Sequence, residues 1–197
     1  MTIANVRYRV CVVVVIAFPA ILWATDAAPP RAIDTQKSMM TVRVFKSGLF
    51  SAFGHEHEIS ALIRQGRLDE GAPSVELTVD AGNMRVMDKD VTEKDRAEIQ
   101  ETMLGPKVLD TGRFPEIRFR STAVERTGES RWTVRGDLTL HGQTRPVKLE
   151  VKGQSAHYQG TAELKQRDFG ITPVRVGGGA VKVKDEVRVE FQIVGKE

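Results

Sequence analysis

The chain has 197 residues, of which 41% are hydrophobic, 28% charged and 6% aromatic, a composition that excludes disordered and collagen-like proteins. Lys and Arg number 29 against 26 Asp and Glu, and the resulting net charge of +3 is too small to indicate nucleic-acid binding. The single cysteine, Cys11, excludes a disulfide framework.

The first predicted element is a secretory signal peptide at residues 1–27. An almost purely apolar run from Val10 to Leu22 follows Arg7 and Arg9, and Thr25-Asp26-Ala27 supplies a cleavage site with small residues. The apolar run is shorter than the roughly 20 residues that cross a bilayer. We therefore expect export with cleavage near Ala27, and the alternative is an uncleaved N-terminal anchor.

Residues 28–37 are predicted to form a spacer and lead-in, and residues 38–197 a single β domain. Apolar and polar residues alternate there with a period of two, which is typical of strands with one buried face. Turn signals between successive strands favour antiparallel pairing. About eight strands are expected, around Met40, Val42 and Val44; His55 to Ile63; Val75, Leu77 and Val79; Ile117 and Phe119; Trp132, Val134, Leu138 and Leu140; Val147, Leu149 and Val151; Ala162 and Leu164; and Val187, Val189, Phe191 and Ile193.

One segment, from Asp88 to Asp110, breaks the alternation. Thr92 can cap a helix there, Asp95 follows three residues later as an imperfect capping box, and apolar residues recur from Ala97 to Leu104. Gly105-Pro106 interrupts the pattern. The segment predicts one helical excursion between strands.

Eight antiparallel strands with one apolar face can form a sandwich or a barrel. Closure into a barrel removes the exposed edges of a long sheet, so we favour a mainly β, eight-stranded antiparallel barrel. An interior of this size can hold one slender ligand if some inward side chains are small. Ala61, Gly136 and Ala162 fall at inward positions and would leave that room.

Four ordered segments of the predicted barrel carry a resemblance to a known family. They are Ile33 to Ser38, Phe114 to Thr122, Val134 to Val147, and Gln166 to Ile171. These four segments, in this order, resemble segments of the YceI-like family. The match begins at about Arg31 and runs to the end of the chain. The resemblance implies a lipocalin-like barrel, a periplasmic location and the binding of an isoprenoid, a quinone or another long-chain lipid.

The expected ligand is thus a hydrophobic small molecule in an apolar barrel interior, with the membrane as its source or acceptor and with no required cofactor. Sequence signatures of hydrolases, cysteine nucleophiles, zinc proteases and dinucleotide-binding enzymes are missing, so no enzyme is predicted, and a metal-dependent hydrolase is the least favoured alternative. The residues predicted to bind the lipid are Val42, Val44, Phe53, His55, His57, Ile59, Leu77, Val79, Phe119, Trp132, Val134, Leu138, Leu149, Phe169 and Phe191.

The segment from Phe50 to Ile59 departs from the family pattern because it contains two histidines. His55 and His57 share one face of a strand and would point into the barrel, unless a bulge at Gly54 reverses the facing. Two imidazoles suit zinc or copper, but a stable site usually has three or four protein ligands. Three interpretations stay open: a metal site in a periplasmic metal-binding or stress-response module, contacts to the polar end of a lipid, or structural caps at the open end of the barrel.

Overall fold

The computed structural model describes residues 29–47, 56–176 and 181–197, and one antiparallel sheet dominates them. The order of neighbouring strands in this sheet is β1-β4-β5-β7-β8-β9-β10-β12-β2-β3-β6, and β11 pairs with β12. The strands are β1 (Arg31–Ala32), β2 (Met39–Ser47), β3 (His57–Ser60), β4 (Ile63–Asp69), β5 (Ser74–Asp80), β6 (Arg85–Val86), β7 (Glu116–Gly128), β8 (Arg131–Leu140), β9 (Gln143–Gln154), β10 (His157–Lys165), β11 (Arg175–Val176) and β12 (Val181–Val194). The predicted signal peptide lies outside the described residues.

The sheet curls until strands far apart in its order meet. β1 pairs with β4, and the next residue, Ile33, forms an antiparallel bridge with Gly195 just after β12. The amide of Asp34 also donates to the carbonyl of Val194 at 2.7 Å. The segment predicted as a spacer and lead-in therefore joins β4 to β12 and gives the sheet a barrel-like closure at this end.

Tight turns connect the long strands from β8 to β10. His141 and Gly142 form the two-residue turn between β8 and β9, and Ser155 and Ala156 form the turn between β9 and β10. All four residues have positive φ angles, between 50° and 71°, as the turns that match the twist of two antiparallel strands require. The register of these hairpins places Trp132 opposite Val151, so the alternating apolar residues share the inner face.

The predicted helix is confirmed as α1 (Glu93–Leu104). The Thr92 hydroxyl oxygen accepts a hydrogen bond from the amide of Asp95 at 3.1 Å and the hydroxyl donates to the Asp95 carboxylate at 2.8 Å. The helix ends where the amide of Gly105 donates to the carbonyl of Glu101. In the part of the chain that the structure covers, no helix is long and apolar enough to cross a membrane.

The prediction of eight strands is wrong in its count. The single strand expected from His55 to Ile63 is divided, because β3 ends at Ser60 and β4 begins at Ile63. The amide of Ala61 still donates to the carbonyl of Met40 in β2 at 2.9 Å, but the chain then leaves β2 and pairs with β5. The two-residue strands β1, β6 and β11 are too short for a period of two to be visible in the sequence.

Two irregularities of strand β4 also prevent its recognition from the sequence. Its pairing with β5 shifts register between Ile63 and Gln65, which breaks the alternation of apolar residues. Gly66 occupies an inward position where an added Cβ would lie 2.5 Å from Cδ1 of Ile33 and 3.0 Å from Cβ of Leu77. Ile33 and Leu77 fill the space at this glycine, so β4 lacks the apolar residue that would mark it as a strand.

Candidate ligand-binding cavity

The inner face of the curled sheet surrounds a cavity of about 470 Å³. This volume lies within the range of about 300–1,000 Å³ that is usual for small-molecule sites. Every strand from β2 to β10 except β6, together with β12, contributes to its wall, as do residues of the helical excursion. Most of the wall is aliphatic or aromatic, as a site for a hydrophobic ligand requires.

The exposure of the inward residues shows that the interior is hollow. Leu149, Leu164 and Val187 alternate with exposed neighbours on either side, yet they are only half-buried themselves. In a filled core, inward aliphatic side chains on central strands would be buried almost completely. Their remaining accessible surface faces the cavity, which they line.

The structure brings all but four of the predicted lipid-binding residues into this wall. Phe53 and His55 lie outside the described residues, as does Gly54, whose conformation decides the facing of His55. His57 and Phe169 are described but do not line the cavity. The predicted residues that line it are Val42, Val44, Ile59, Leu77, Val79, Phe119, Trp132, Val134, Leu138, Leu149 and Phe191.

Phe169 lies in the hydrophobic core instead of the wall. It belongs to a short 3-10 helix, Gln166–Phe169, and only 2% of its surface is exposed. Gly170 follows with φ of 74° and reverses the chain, so that Ile171 reaches the cavity. The family-like segment around Phe169 therefore has a packing role at this residue.

Gly136 does not leave the open space expected from its inward position. A Cβ added to Gly136 would lie 2.5 Å from Cζ of Phe119. The ring of Phe119 has taken that space. Ala61 and Ala162, the two other small inward residues, do line the cavity.

His57 is held by an acidic residue that the sequence analysis did not single out. Its Nδ1 lies 2.5 Å from Oδ2 of Asp88, and the other oxygen of Asp88 accepts a hydrogen bond from the amide of Glu58 at 2.8 Å. The side chains of His57 and Asp88 are only 13% and 2% exposed. Asp88 precedes α1, so this contact ties the helical excursion to β3.

Among the residues the structure describes, no group of three or more His, Cys, Asp or Glu side chains could hold a metal ion.

Polar side chains of the wall gather at one end of the cavity, at the β4–β5 and β9–β10 turns. Those near the two turns are Asp69, Glu70, Ser74, Gln154, Ser155 and Tyr158. Ser74, Gln154 and Ser155 are exposed although they line the cavity. The cavity therefore reaches the surface at this end, which we call the mouth.

A tyrosine and a glutamate join the two turns at the mouth. The hydroxyl of Tyr158 donates to Oε1 of Glu70 at 2.7 Å, and the amide of Ala156 donates to the same oxygen at 2.9 Å. The hydrogen bond from Tyr158, supported by that from Ala156 and by Arg31, holds the pKa of Glu70 below its ordinary value. Partial burial and the Glu70 carboxylate raise the pKa of Tyr158. Sequence alternation with Ala162 could have marked Tyr158 as inward, whereas Glu70 lies in a turn and has no such signal.

Comparisons with known proteins agree on one family. A family model for the YceI-like domain matches residues 32–195. The chain is 36% identical over 99 residues to a UPF0312 protein of Pseudomonas savastanoi pv. phaseolicola, covering 45% of this chain and 50% of that protein. It is 33% identical over 129 residues to a UPF0312 protein of Vibrio cholerae, covering 60% and 62%. The chain thus spans about half to three-fifths of the length of these curated relatives.

Solved structures give the same fold at lower identity. BcnA of Burkholderia cenocepacia is similar with a TM-score of 0.57 and 21% identity, over 83% of this chain and 99% of that one. A YCEI protein of Campylobacter jejuni is similar with a TM-score of 0.50 and 11% identity, over 71% and 81%. These likenesses support the barrel-like architecture.

Proposed function

The chain belongs to the YceI-like family, and from that premise we propose that it binds a long hydrophobic molecule, an isoprenoid, a quinone or another long-chain lipid, inside its curled sheet. The observation that carries the proposal is the apolar wall around about 470 Å³ of free space. Burial of apolar surface stabilises a complex by roughly 25 cal/mol per Å². Burial of a long apolar tail in this cavity would therefore be sufficient for binding, even after the loss of conformational freedom of the tail is subtracted.

The protein is in this proposal a carrier or a sequestering protein and not an enzyme. Its mouth carries polar groups where a ligand's end would lie, and the described wall deeper in the cavity is apolar except at Gln166. Export through the predicted signal peptide would place the protein in the periplasm, where the membranes can supply or accept the lipid. The buried contact between His57 and Asp88 favours a structural role for His57 over a contact to ligand.

The proposal predicts that the purified protein carries lipid and that filling the cavity removes it. Val189 is half-buried and lines the cavity, so Val189→Phe places a ring in the space of the tail. We expect mass spectrometry of an organic extract to find a long-chain lipid in the wild type and at least about tenfold less in the variant.

The intact mass of the same preparation reports whether cleavage occurs near Ala27.

Thr161→Phe is the matched control for this experiment. Thr161 lies on the exposed outer face of β10, where the same aromatic side chain adds volume outside the barrel. The control should retain as much lipid as the wild type. Equal lipid content in both variants, with both still folded, would contradict a ligand in the cavity.

A further inference from the structure

We infer that the ligand ends in an uncharged hydrogen-bond donor, such as a hydroxyl or a carboxamide, and that the cavity rejects lipids that end in phosphate or carboxylate. The inference rests on the proposed function, because it concerns the polar end of the same ligand, and it narrows that proposal to alcohols and amides over oxidised quinones, whose carbonyl oxygens only accept hydrogen bonds. Its basis is the set of groups that the mouth presents to the inside of the cavity.

The arrangement of the chain determines which end of the ligand lies at the mouth. The segment between β5 and β7, which carries β6 and the helical excursion, begins and ends at the ends of β5 and β7 opposite the β4–β5 turn. Met103 and Leu109 of this excursion line the cavity with apolar side chains. Gln166 also lines the wall, but its amide donates to the carbonyl of Lys184 at 2.7 Å. An apolar tail therefore fits the interior, and the polar end of the ligand lies at the mouth.

The partly buried hydrogen-bond donors of the mouth are already engaged. The hydroxyl of Tyr158 and the amide of Ala156 both donate to Glu70. The indole of Trp132, which also lines the cavity, donates to the carbonyl of Gly153 at 3.2 Å. A ligand that only accepts hydrogen bonds would find as donors at this end the exposed side chains of Ser74, Gln154 and Ser155, which also remain open to water.

Acceptors at the mouth, in contrast, remain available. Oε1 of Glu70 takes both of its hydrogen bonds, while Oε2 has Arg31 at 3.7 Å as its ion-pair partner. One oxygen of Asp69 accepts from the amides of Gly71 and Ala72 at 2.9 Å. Each carboxylate thus keeps an oxygen that can accept from a hydroxyl or an amide N–H of the ligand.

The charges at the mouth oppose an anionic ligand. Of the described residues that line the cavity, Asp69 and Glu70 are acidic and none is Lys, Arg or His. Arg31, the cation beside Glu70, does not line the cavity, and its guanidinium also donates to the carbonyl of Lys196. A phosphate at the mouth would meet two carboxylates and no cation among the described residues of the wall, whereas binding of phosphate normally depends on cationic donors.

The test compares ligands that share one tail and differ at one end. Geranylgeraniol and geranylgeranyl phosphate are titrated into the full chain carrying Trp23→Phe, so that Trp132 emission is the only tryptophan signal. At low salt we expect the alcohol to bind at least about tenfold more tightly than the phosphate, and the ratio to shrink as salt screens the mouth.

Two variants locate the source of the discrimination. Glu70→Gln removes the charge but keeps an oxygen that can accept from Tyr158 and Ala156. Asp69→Asn likewise removes the charge and keeps an oxygen that can accept from the amides of Gly71 and Ala72. Either should bring the affinity for the phosphate several-fold closer to that for the alcohol. Glu163→Gln removes a charge from the exposed outer face of β10 and should leave the ratio unchanged.

The possible failures are distinguishable. Phosphate binding as tight as that of the alcohol, or a ratio that neither mouth variant alters, would overturn the inference while leaving the cavity as a lipid site. Absence of a saturable response to both ligands, with no lipid in the extract, would overturn the proposed function and this inference with it.

Discussion

At the scale of single residues, glycines opposite aromatic rings shape the inner wall. A Cβ on Gly136 would lie 2.5 Å from Cζ of Phe119, and one on Gly160 would lie 2.6 Å from Cζ of Phe191. Each ring lies across the glycine of a neighbouring strand, an arrangement that compensates the missing side chain of glycine in a sheet. Both rings belong to the cavity wall, so these glycines set the positions of the aromatic surfaces that a ligand would meet.

Gly136→Ala should therefore destabilise the fold. The new methyl group would also approach the backbone carbonyl of Arg120 at 2.5 Å, and overpacking of this kind costs about 1–3 kcal/mol. Urea unfolding measures the change in free energy. Gly112→Ala is the control, since a Cβ there meets nothing within 4 Å, and its stability should equal or slightly exceed that of the wild type. Equal stability of the two variants would contradict this account of Gly136.

At the scale of elements, polar contacts hold the helical excursion to the sheet. Asp88 bonds the amide of Glu58 and the ring of His57 in β3, and its carbonyl accepts from the guanidinium of Arg96 in α1. The side chain of Gln100 bonds the backbone around β6 as both donor and acceptor. Met103 is the one buried residue of α1, with Ile99 and Leu104 packed against the same core, so these hydrogen bonds position the helix together with a small apolar contact.

Asp88→Ala should loosen the excursion and destabilise the protein by about 2–4 kcal/mol. The substitution leaves the partly buried amide of Glu58 and the nearly buried imidazole of His57 without their partner, and each unsatisfied group costs about 1–3 kcal/mol. Hydrogen exchange should become faster from residue 84 to residue 104 before it does in β8 and β9. The control Asp168→Ala removes an exposed carboxylate and should change little. If hydrogen exchange in the Asp88 variant became faster to the same extent in the excursion and in β8 and β9, other contacts would hold the excursion.

At the scale of the whole molecule, the contact between Glu70 and Tyr158 helps to close the barrel at its mouth. The two residues are 88 positions apart in sequence, and they link the β4–β5 turn to the start of β10 close to the bridge of Ile33 with Gly195. The pKa of Glu70 is lowered in the folded state. The contact therefore stabilises the fold above the ordinary pKa of 4.5, and this contribution is lost as the pH falls through the lowered value.

Tyr158→Phe tests this dependence on pH. The variant should lose about 1 kcal/mol of stability near pH 7, because the hydrogen bond is missing. The loss should shrink below pH 4.5, since protonation of Glu70 weakens the contact in the wild type as well. Thermal unfolding from pH 7 to pH 3 measures both effects. Thr161→Val removes a hydroxyl from the outer face of the same strand and should parallel the wild type; a pH-independent difference for Tyr158→Phe would refute the linkage.

Local patterns in the sequence were sufficient to predict the helix with its Thr92 cap and most of the cavity wall. Alternation depends on neighbouring residues alone, because successive side chains of a strand point to opposite faces. Val134 and Leu149, on different strands, were thus assigned to one inner face before their pairing was known. The period of two failed in β4, where a bulge and Gly66 interrupt it.

The sequence by itself determined which faces are apolar and to which family the chain belongs. Only the tertiary structure decided that the interior is hollow, that Phe119 fills the space at Gly136, and that Glu70 meets Tyr158 at the mouth. These features depend on how far the sheet curls and on which side chains then meet across many strands. Such contacts join residues distant in sequence, and no local period encodes their distances or the volume that they leave free.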